Sequence, residues 1–335
     1  MIERPPIPDD LLISTLRRHY HMVVTGLQFL PVGNDATAWA FKANGQAGGA
    51  YFLKIKKSPL YAPGVEIPFA LNAKGLPQVL APLPRQDGSL WVDLGEFNLI
   101  LYPFIAGENG GERGLSGSQW SELGRILRAV HTTCLGADLV AKVHTESFQP
   151  QWGPMVRTLD YLLQEVAFNR PYEIELARFW QTRRNEIFKI LARTEKLGRS
   201  LRREPPGFVL CHADIHPFNI LLDGEGSMYI VDWDGLIYAP KERDLMFIGD
   251  PAREVQAFYE GYGPVLVNPL AQAYYHYEWV VQEIGDFGER VFLMEDIGPA
   301  TREQALEGFF QLFQPGDVVE GAYQYAAQLL PGFDP

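Results

Sequence analysis

His212, Asp214 and Asn219 fall within one short stretch, and Asp232 and Asp234 follow downstream. Between Asn219 and Asp232 lie two apolar runs, 220–222 and 228–231, around the turn Asp223-Gly224-Glu225-Gly226. Two apolar runs joined by a glycine-bearing turn predict an antiparallel hairpin. The ends of a hairpin lie side by side, so Asn219 at its start and Asp232 at its finish converge on one point. An amide oxygen and a carboxylate, completed by water and phosphate oxygens, make a site for Mg²⁺. Asp214 lies on the loop just before Asn219 and can reach a hydroxyl placed beside a metal-bound phosphate. Charge neutralisation, a base or orienter for the hydroxyl and in-line placement are what phosphoryl transfer to an alcohol requires.

These groups need a scaffold. A short helix is expected at 9–20, with Leu11, Leu12 and Leu16 on one side. Segments 23–29, 38–43 and 50–56 are rich in β-branched and aromatic residues and are separated by turn compositions, which predicts antiparallel hairpins. A helix is expected at 66–74, with Pro68 in its first turn and Gly75 as its stop. Strands near 90–94 and 97–102 would complete a five-stranded antiparallel sheet. Past Pro103 the patterns turn helical. Ser116 to Gln119 reads as a capping box, followed by Trp120, Leu123, Leu127 and Val130 at helical spacing. Two long helical patterns fill 154–201, and helices rich in Tyr and Phe are expected over 251–329.

The segment Cys211-His212-x-Asp214-Ile215-His216-x-x-Asn219, followed by Val231-Asp232-Trp233-Asp234, resembles the catalytic loop and metal aspartate of the aminoglycoside phosphotransferase family, which has a protein-kinase-like fold. Within that family it is most similar to the spectinomycin phosphotransferases. The likeness extends through Tyr51-Phe52-Leu53-Lys54, Tyr102-Pro103-Phe104-Ile105 and the stretches 239–249 and 258–263, so it covers nearly the whole chain. It implies an α+β, bilobal fold, with a small antiparallel sheet lobe at 1–102, a larger and mainly helical lobe at 103–335, and ATP with Mg²⁺ in the cleft. It implies Asp214 as catalytic base and Asn219 and Asp232 as metal ligands. Lys54 would contact the α- and β-phosphates, with Glu66 as its ion-pair partner. Asn34 and Thr37 would lie in the phosphate turn, and Tyr102, Phe104 and Ile105 in the hinge that meets adenine. His212, Arg243 and Asp244 would brace the loop.

One departure stands out. No G-x-G-x-x-G loop is present, and the equivalent turn, Gly33-Asn34-Asp35-Ala36-Thr37-Ala38, has a single glycine. Backbone N–H groups and the Thr37 hydroxyl could still cradle a phosphate. No A-P-E motif is present either, so the pattern argues against a protein kinase. The alternative for Lys54 is a solvent-facing strand lysine like its neighbours Lys56 and Lys57.

The formal net charge of −12 lacks the clustered cations of a nucleic-acid binder and suits a cationic small alcohol as substrate. Asp234, Glu278, Glu283 and Asp286 are candidate acids for that substrate. Glu283 and Asp286 share a helix face, while Glu278 lies about 140° round from Glu283, so only part of the set can face one pocket. The aromatic run 274–279 that carries Glu278 reads equally as core. Two cysteines, Cys134 and Cys211, make no disulfide framework. The apolar stretches are too short to span a bilayer, so a cytoplasmic protein with no membrane partner is expected. Two functional classes follow. One is an active kinase for an aminocyclitol or aminoglycoside antibiotic such as spectinomycin, or for a metabolite such as choline, homoserine or methylthioribose. The other is a catalytically silent nucleotide-binding protein, which the presence of Asp214, Asn219, Asp232 and Lys54 disfavours.

Overall fold

A computed structural model describes residues 3–33, 35–46, 48–249 and 252–329. Its elements in chain order begin with α1 (Asp9–Tyr20), β1 (Val24–Leu30), β2 (Ala38–Gly45), β3 (Ala50–Lys57), α2 (Pro63–Ala73), β4 (Trp91–Asp93) and β5 (Phe97–Pro103). Next come β6 (Gly107–Asn109), α3 (Gly110–Arg113), α4 (Gly117–Thr132), α5 (Ala137–Val140), α6 (Gly153–Glu165) and α7 (Pro171–Arg203). They are followed by β7 (Phe208–Cys211), β8 (Ile220–Asp223), β9 (Met228–Ile230), β10 (Ile237–Pro240) and α8 (Glu242–Leu245). The last four are α9 (Ala252–Tyr262), α10 (Pro269–Phe292), α11 (Pro299–Gln311) and α12 (Val318–Leu329).

The chain forms two compact units. The first comprises Met1–His144, Val209–Tyr238 and Phe247–Val265, and the second comprises Thr145–Phe208, Ala239–Met246 and Leu266–Pro335. The hairpin segment thus groups with the five-stranded sheet in the first unit.

In the first unit the five-stranded antiparallel sheet runs β1-β2-β3-β5-β4. Lys54 on β3 stands opposite Ala40 of β2 and Ile100 of β5, at the centre of the sheet. Leu53 and Ile55, its two neighbours along β3, are fully buried, as alternation demands. A second sheet, β6-β8-β9, contains the expected hairpin, with Ile220 opposite Ile230 and Leu222 opposite Met228. Asp223 shapes its turn by accepting hydrogen bonds from the N–H groups of Glu225 and Ser227 at 2.9 and 2.8 Å. The segment after α2 ties the hairpin in place: the Ile230 N–H donates to Gln78 O at 2.7 Å and the Leu80 N–H to Ile230 O at 3.1 Å.

Helix α2 starts at Pro63 rather than at Glu66, so Pro68 lies inside it and not in its first turn. Pro63 takes the N1 position, where a missing N–H costs nothing. Gly75, with φ of +95°, follows the helix and is its stop as expected. The capping box at Ser116 and Gln119 is present at the start of α4.

The second unit is helical. Helix α10 packs against α6, α7, α11 and α12, and its residues Tyr274, Tyr275 and Tyr277 are fully buried. The aromatic run is therefore core. Asp160 of α6 is locked to α7 by a two-pronged bond from Arg184, at 2.7 and 2.8 Å, and by the Trp180 indole N–H at 3.1 Å. Burial would raise the Asp160 carboxyl, but these donors hold it below the usual carboxylate range. Among the described residues no helix is long and apolar enough to cross a membrane. Cys134 is exposed and Cys211 buried, and the two form no disulfide.

Candidate active site

The hairpin brings its two ends together as the spacing demanded. The Val231 N–H donates to Asn219 O at 3.0 Å, which sets Asn219 beside the residue that precedes Asp232. The Asn219 side-chain amide, in turn, donates to the Asp214 carbonyl oxygen at 2.8 Å and to its carboxylate Oδ2 at 2.9 Å. Both Asp214 oxygens can only accept, so the amide orientation is fixed and its own oxygen remains an acceptor. The other Asp214 carboxylate oxygen lies 3.4 Å from His216 Nε2.

His212 is fully buried and joins the two halves of the loop. Its Nε2–H donates to Val231 O at 2.9 Å, since a carbonyl can only accept. That leaves Nδ1 as the acceptor for the Asp214 N–H at 3.2 Å. The ring packs on Trp233 with centroids 4.5 Å apart. On either side of this imidazole the backbone is left-handed at non-glycine residues, with φ of +71° at Ala213 and +62° at Asp232. Such conformations cost energy and persist only where the surroundings enforce them. One directly precedes Asp214, and the other is Asp232 itself.

Lys54 meets those carboxylates from the sheet. Its ammonium lies 2.8 Å from Asp232 Oδ1 and 2.9 Å from Asp234 Oδ2. Burial would lower the Lys54 pKa, but the two carboxylates raise it well above the ordinary lysine value. Asp234 is the mirror case. Burial opposes its charge, yet Lys54 and Lys56 together hold it well below the usual carboxylate range.

Two expected partners are arranged differently. The Lys54–Glu66 pair is not made: Lys54 is flanked by Asp232 and Asp234, while Glu66, in the first turn of α2, accepts from Lys142 at 2.8 and 3.0 Å. The position of α2 is set by Gly64, where a Cβ atom would come within 2.9 Å of Trp233 O, so the helix start is pressed against the Asp232–Asp234 turn. In the turn before β2, Thr37 gives both its N–H and its hydroxyl to Asp35 Oδ1, at 2.7 and 2.6 Å. Asn34 lies outside the described residues.

The stretch at 102–105 begins in β5 and runs past its end. Tyr102 stands opposite Phe52, with ring centroids 6.4 Å apart, and packs on the cluster of Val65, Leu90 and Ile100. Burial pushes its phenol up. The Phe104 N–H donates to Ala50 O at 3.2 Å and its ring carries the Lys42 ammonium at 4.3 Å, while Ile105 is half-buried.

The candidate substrate acids of α10 are each engaged within the helical unit. Glu278 is buried and paired with Arg243 at 3.3 Å, and burial pushes its carboxyl up against that attraction. Glu283 accepts from the Trp279 indole at 3.2 Å, and Asp286 is paired with Arg290. Arg243 also lies over the Tyr275 ring, and Asp244 is fully buried.

Lys56 is the residue that sequence reading passed over. It bridges Asp234 Oδ2, at 2.9 Å, and Asp35. The signal was the period of a strand, which puts Lys54 and Lys56 on one face. As a whole, the Asp214, Asn219 and Asp232 group offers only oxygen atoms for a cation, the donor type that hard divalent ions take.

The chain matches the phosphotransferase enzyme family, known as APH, over residues 26–281. It is similar to the crystal structure of spectinomycin phosphotransferase APH(9)-Ia in complex with ADP and spectinomycin, at 31% identity and a TM-score of 0.86, covering 97% of this chain and 100% of that one. Amicoumacin kinase hAmiN, in complex with AMP-PNP and Ca²⁺, shares the fold at 15% identity and a TM-score of 0.61, over 93% of this chain and 95% of that one. Protein StrN of Streptomyces griseus is 25% identical over 296 residues, which is 84% of this chain and 85% of that protein. The match spans most of the sequence and the likeness nearly all of it, so the chain belongs to the APH phosphotransferase family and is a small-molecule kinase.

Proposed function

We propose that this protein transfers the γ-phosphoryl group of ATP to a hydroxyl of an aminocyclitol antibiotic of the spectinomycin type. The observation that carries the reading is the convergence of Asp214, Asn219, Asp232 and Lys54 within one compact unit. The near-full-length likeness to a spectinomycin phosphotransferase supports the acceptor. The net charge of −12 suits a cationic drug.

In this reading Asp214 accepts the proton of the attacking hydroxyl. The new oxygen–phosphorus bond forms as the bond to the β-phosphate oxygen breaks, and ADP leaves with the charge. Asn219 holds the Asp214 carboxylate in one orientation, so the base enters the reaction already positioned. Lys54, kept cationic by its two acids, offers its charge to the phosphates. Asn219, through its amide oxygen, and Asp232 would hold Mg²⁺, which when bound neutralises phosphate charge. The hinge at Tyr102, Phe104 and Ile105 would receive adenine. Such an activity in the cytoplasm would confer resistance to the drug.

The test is a transfer assay with purified protein, Mg²⁺ and γ-labelled ATP against spectinomycin, other aminoglycosides, choline, homoserine and methylthioribose. Labelled spectinomycin is the expected product. Faster labelling of choline or another metabolite would replace the antibiotic reading with a metabolic one. A melting temperature raised by ADP with no acceptor-stimulated turnover would favour a silent nucleotide binder.

A further inference from the structure

Lys56 forms the link between two parts of the site that are distant in sequence. Its ammonium contacts Asp234 Oδ2 at 2.9 Å and Asp35, whose other oxygen gathers the N–H and hydroxyl of Thr37. A continuous chain of charge thus runs from Asp232 through Lys54, Asp234 and Lys56 to Asp35, which accepts the Thr37 hydroxyl. Asp35 is the difficult member. It is a carboxylate in the very turn that faces phosphate in the kinase reading, where an uncompensated negative charge would repel a nucleotide. Lys56 neutralises that charge and fixes the turn to the Asp234 segment.

We propose that Lys56 is a positioning residue for phosphoryl transfer, which acts through Asp35 to hold the turn at 35–37 in register with Asp232 and Asp234 and to make it tolerant of a polyphosphate. The proposal rests on the kinase reading above. It differs from a purely structural role in one measurable respect. Repulsion from Asp35 scales with the phosphates of the ligand and leaves an uncharged nucleoside unaffected, whereas a general loss of structure weakens both.

The experiment measures binding of adenosine and of Mg²⁺-ADP by calorimetry to the full chain as wild type, Lys56→Gln, Lys56→Arg and the double variant Asp35→Asn/Lys56→Gln. Lys56→Gln is expected to weaken ADP binding about tenfold, the scale of a lost charged hydrogen bond. Adenosine binding should stay within about twofold, because the nucleoside carries no charge for Asp35 to repel. Lys56→Arg should keep most of the ADP affinity. The double variant removes the pair with its charge balanced, and should fall between wild type and Lys56→Gln for ADP with adenosine unchanged. It carries the test if Lys56→Gln does not fold. Unchanged ADP affinity in these variants, or equal proportional losses for ADP and adenosine, would overturn the proposal. A wild type that binds no ADP would remove the kinase reading itself, an outcome distinct from the failure of Lys56 alone.

Discussion

Asn219 holds Asp214 at two points, through the carbonyl at 2.8 Å and the carboxylate at 2.9 Å, with a single side-chain nitrogen. The residue assigned to the metal thereby also sets the direction of the residue assigned to the acceptor hydroxyl. Asp214→Ala is expected to lower kcat by about 10²–10⁴, the usual worth of a positioned general base, with ADP affinity unchanged. Asn219→Ala should lower both kcat and magnesium-dependent ADP affinity. Steady-state rates and calorimetry on the two variants separate these outcomes, and wild-type turnover in Asp214→Ala would remove that residue from the reaction.

Asp232→Ala tests the metal assignment by a different route. Removing this carboxylate leaves Lys54 with Asp234 as its remaining acid of the pair. In Mg²⁺ the variant should bind ADP about tenfold more weakly, as expected when a charged ligand interaction is lost. With the metal chelated the difference should vanish or reverse, because a negative charge next to the phosphates has gone. An equal loss in both conditions would show that Asp232 holds the protein rather than a cation.

Gly64→Ala places a methyl group within 2.9 Å of Trp233 O, a backbone atom with little room to yield. The start of α2 must then move off the Asp232–Asp234 turn. A loss of about 1–3 kcal/mol is expected, the range for overpacking a close contact. Denaturant melts give the stability, and ADP affinity measured on the folded variant shows whether the turn moves with the helix.

His276 makes acid a stress on the second unit. Its ring is buried against Tyr325, with centroids 4.0 Å apart, and burial brings its pKa down from 6.5 to about 4. The unfolded chain takes up the proton near pH 6.5 and the folded one resists it. Stability from this group is therefore complete above pH 6.5 and falls as the pH drops towards about 4, by about 3 kcal/mol in all. His276→Phe keeps the stacked ring and should flatten that part of the profile. Denaturation midpoints at pH 7.5, 5.5 and 4.5 provide the check.

The hairpin was legible from sequence because two independent signals agreed: apolar runs of strand length and a turn rich in glycine and acid. The same held for the five strands of the first sheet, whose limits moved by only a few residues. Helix α2 was misplaced at its start because Pro63-Gly64 reads as loop, although proline at N1 is itself a start signal. Strand β6, only Gly107-Glu108-Asn109, has neither length nor alternation and exists because β8 offers it an edge. The charge partners were the least legible part. Glu66 with Lys142, and Lys56 with Asp35, are settled by where folded segments come to rest, which no local spacing encodes.

The imidazole of His212 ties Val231 to Asp214, next to two residues whose backbones are both wound against their natural hand, Asp232 and Ala213. Relaxation of either one would pull on the ring and hence on the other. The Asp214 and Asp232 segments are therefore coupled through one ring rather than placed independently. Redesign of this site for another acceptor would have to come from the surrounding walls, because neither acid can be re-aimed without dismantling the aim of its twin.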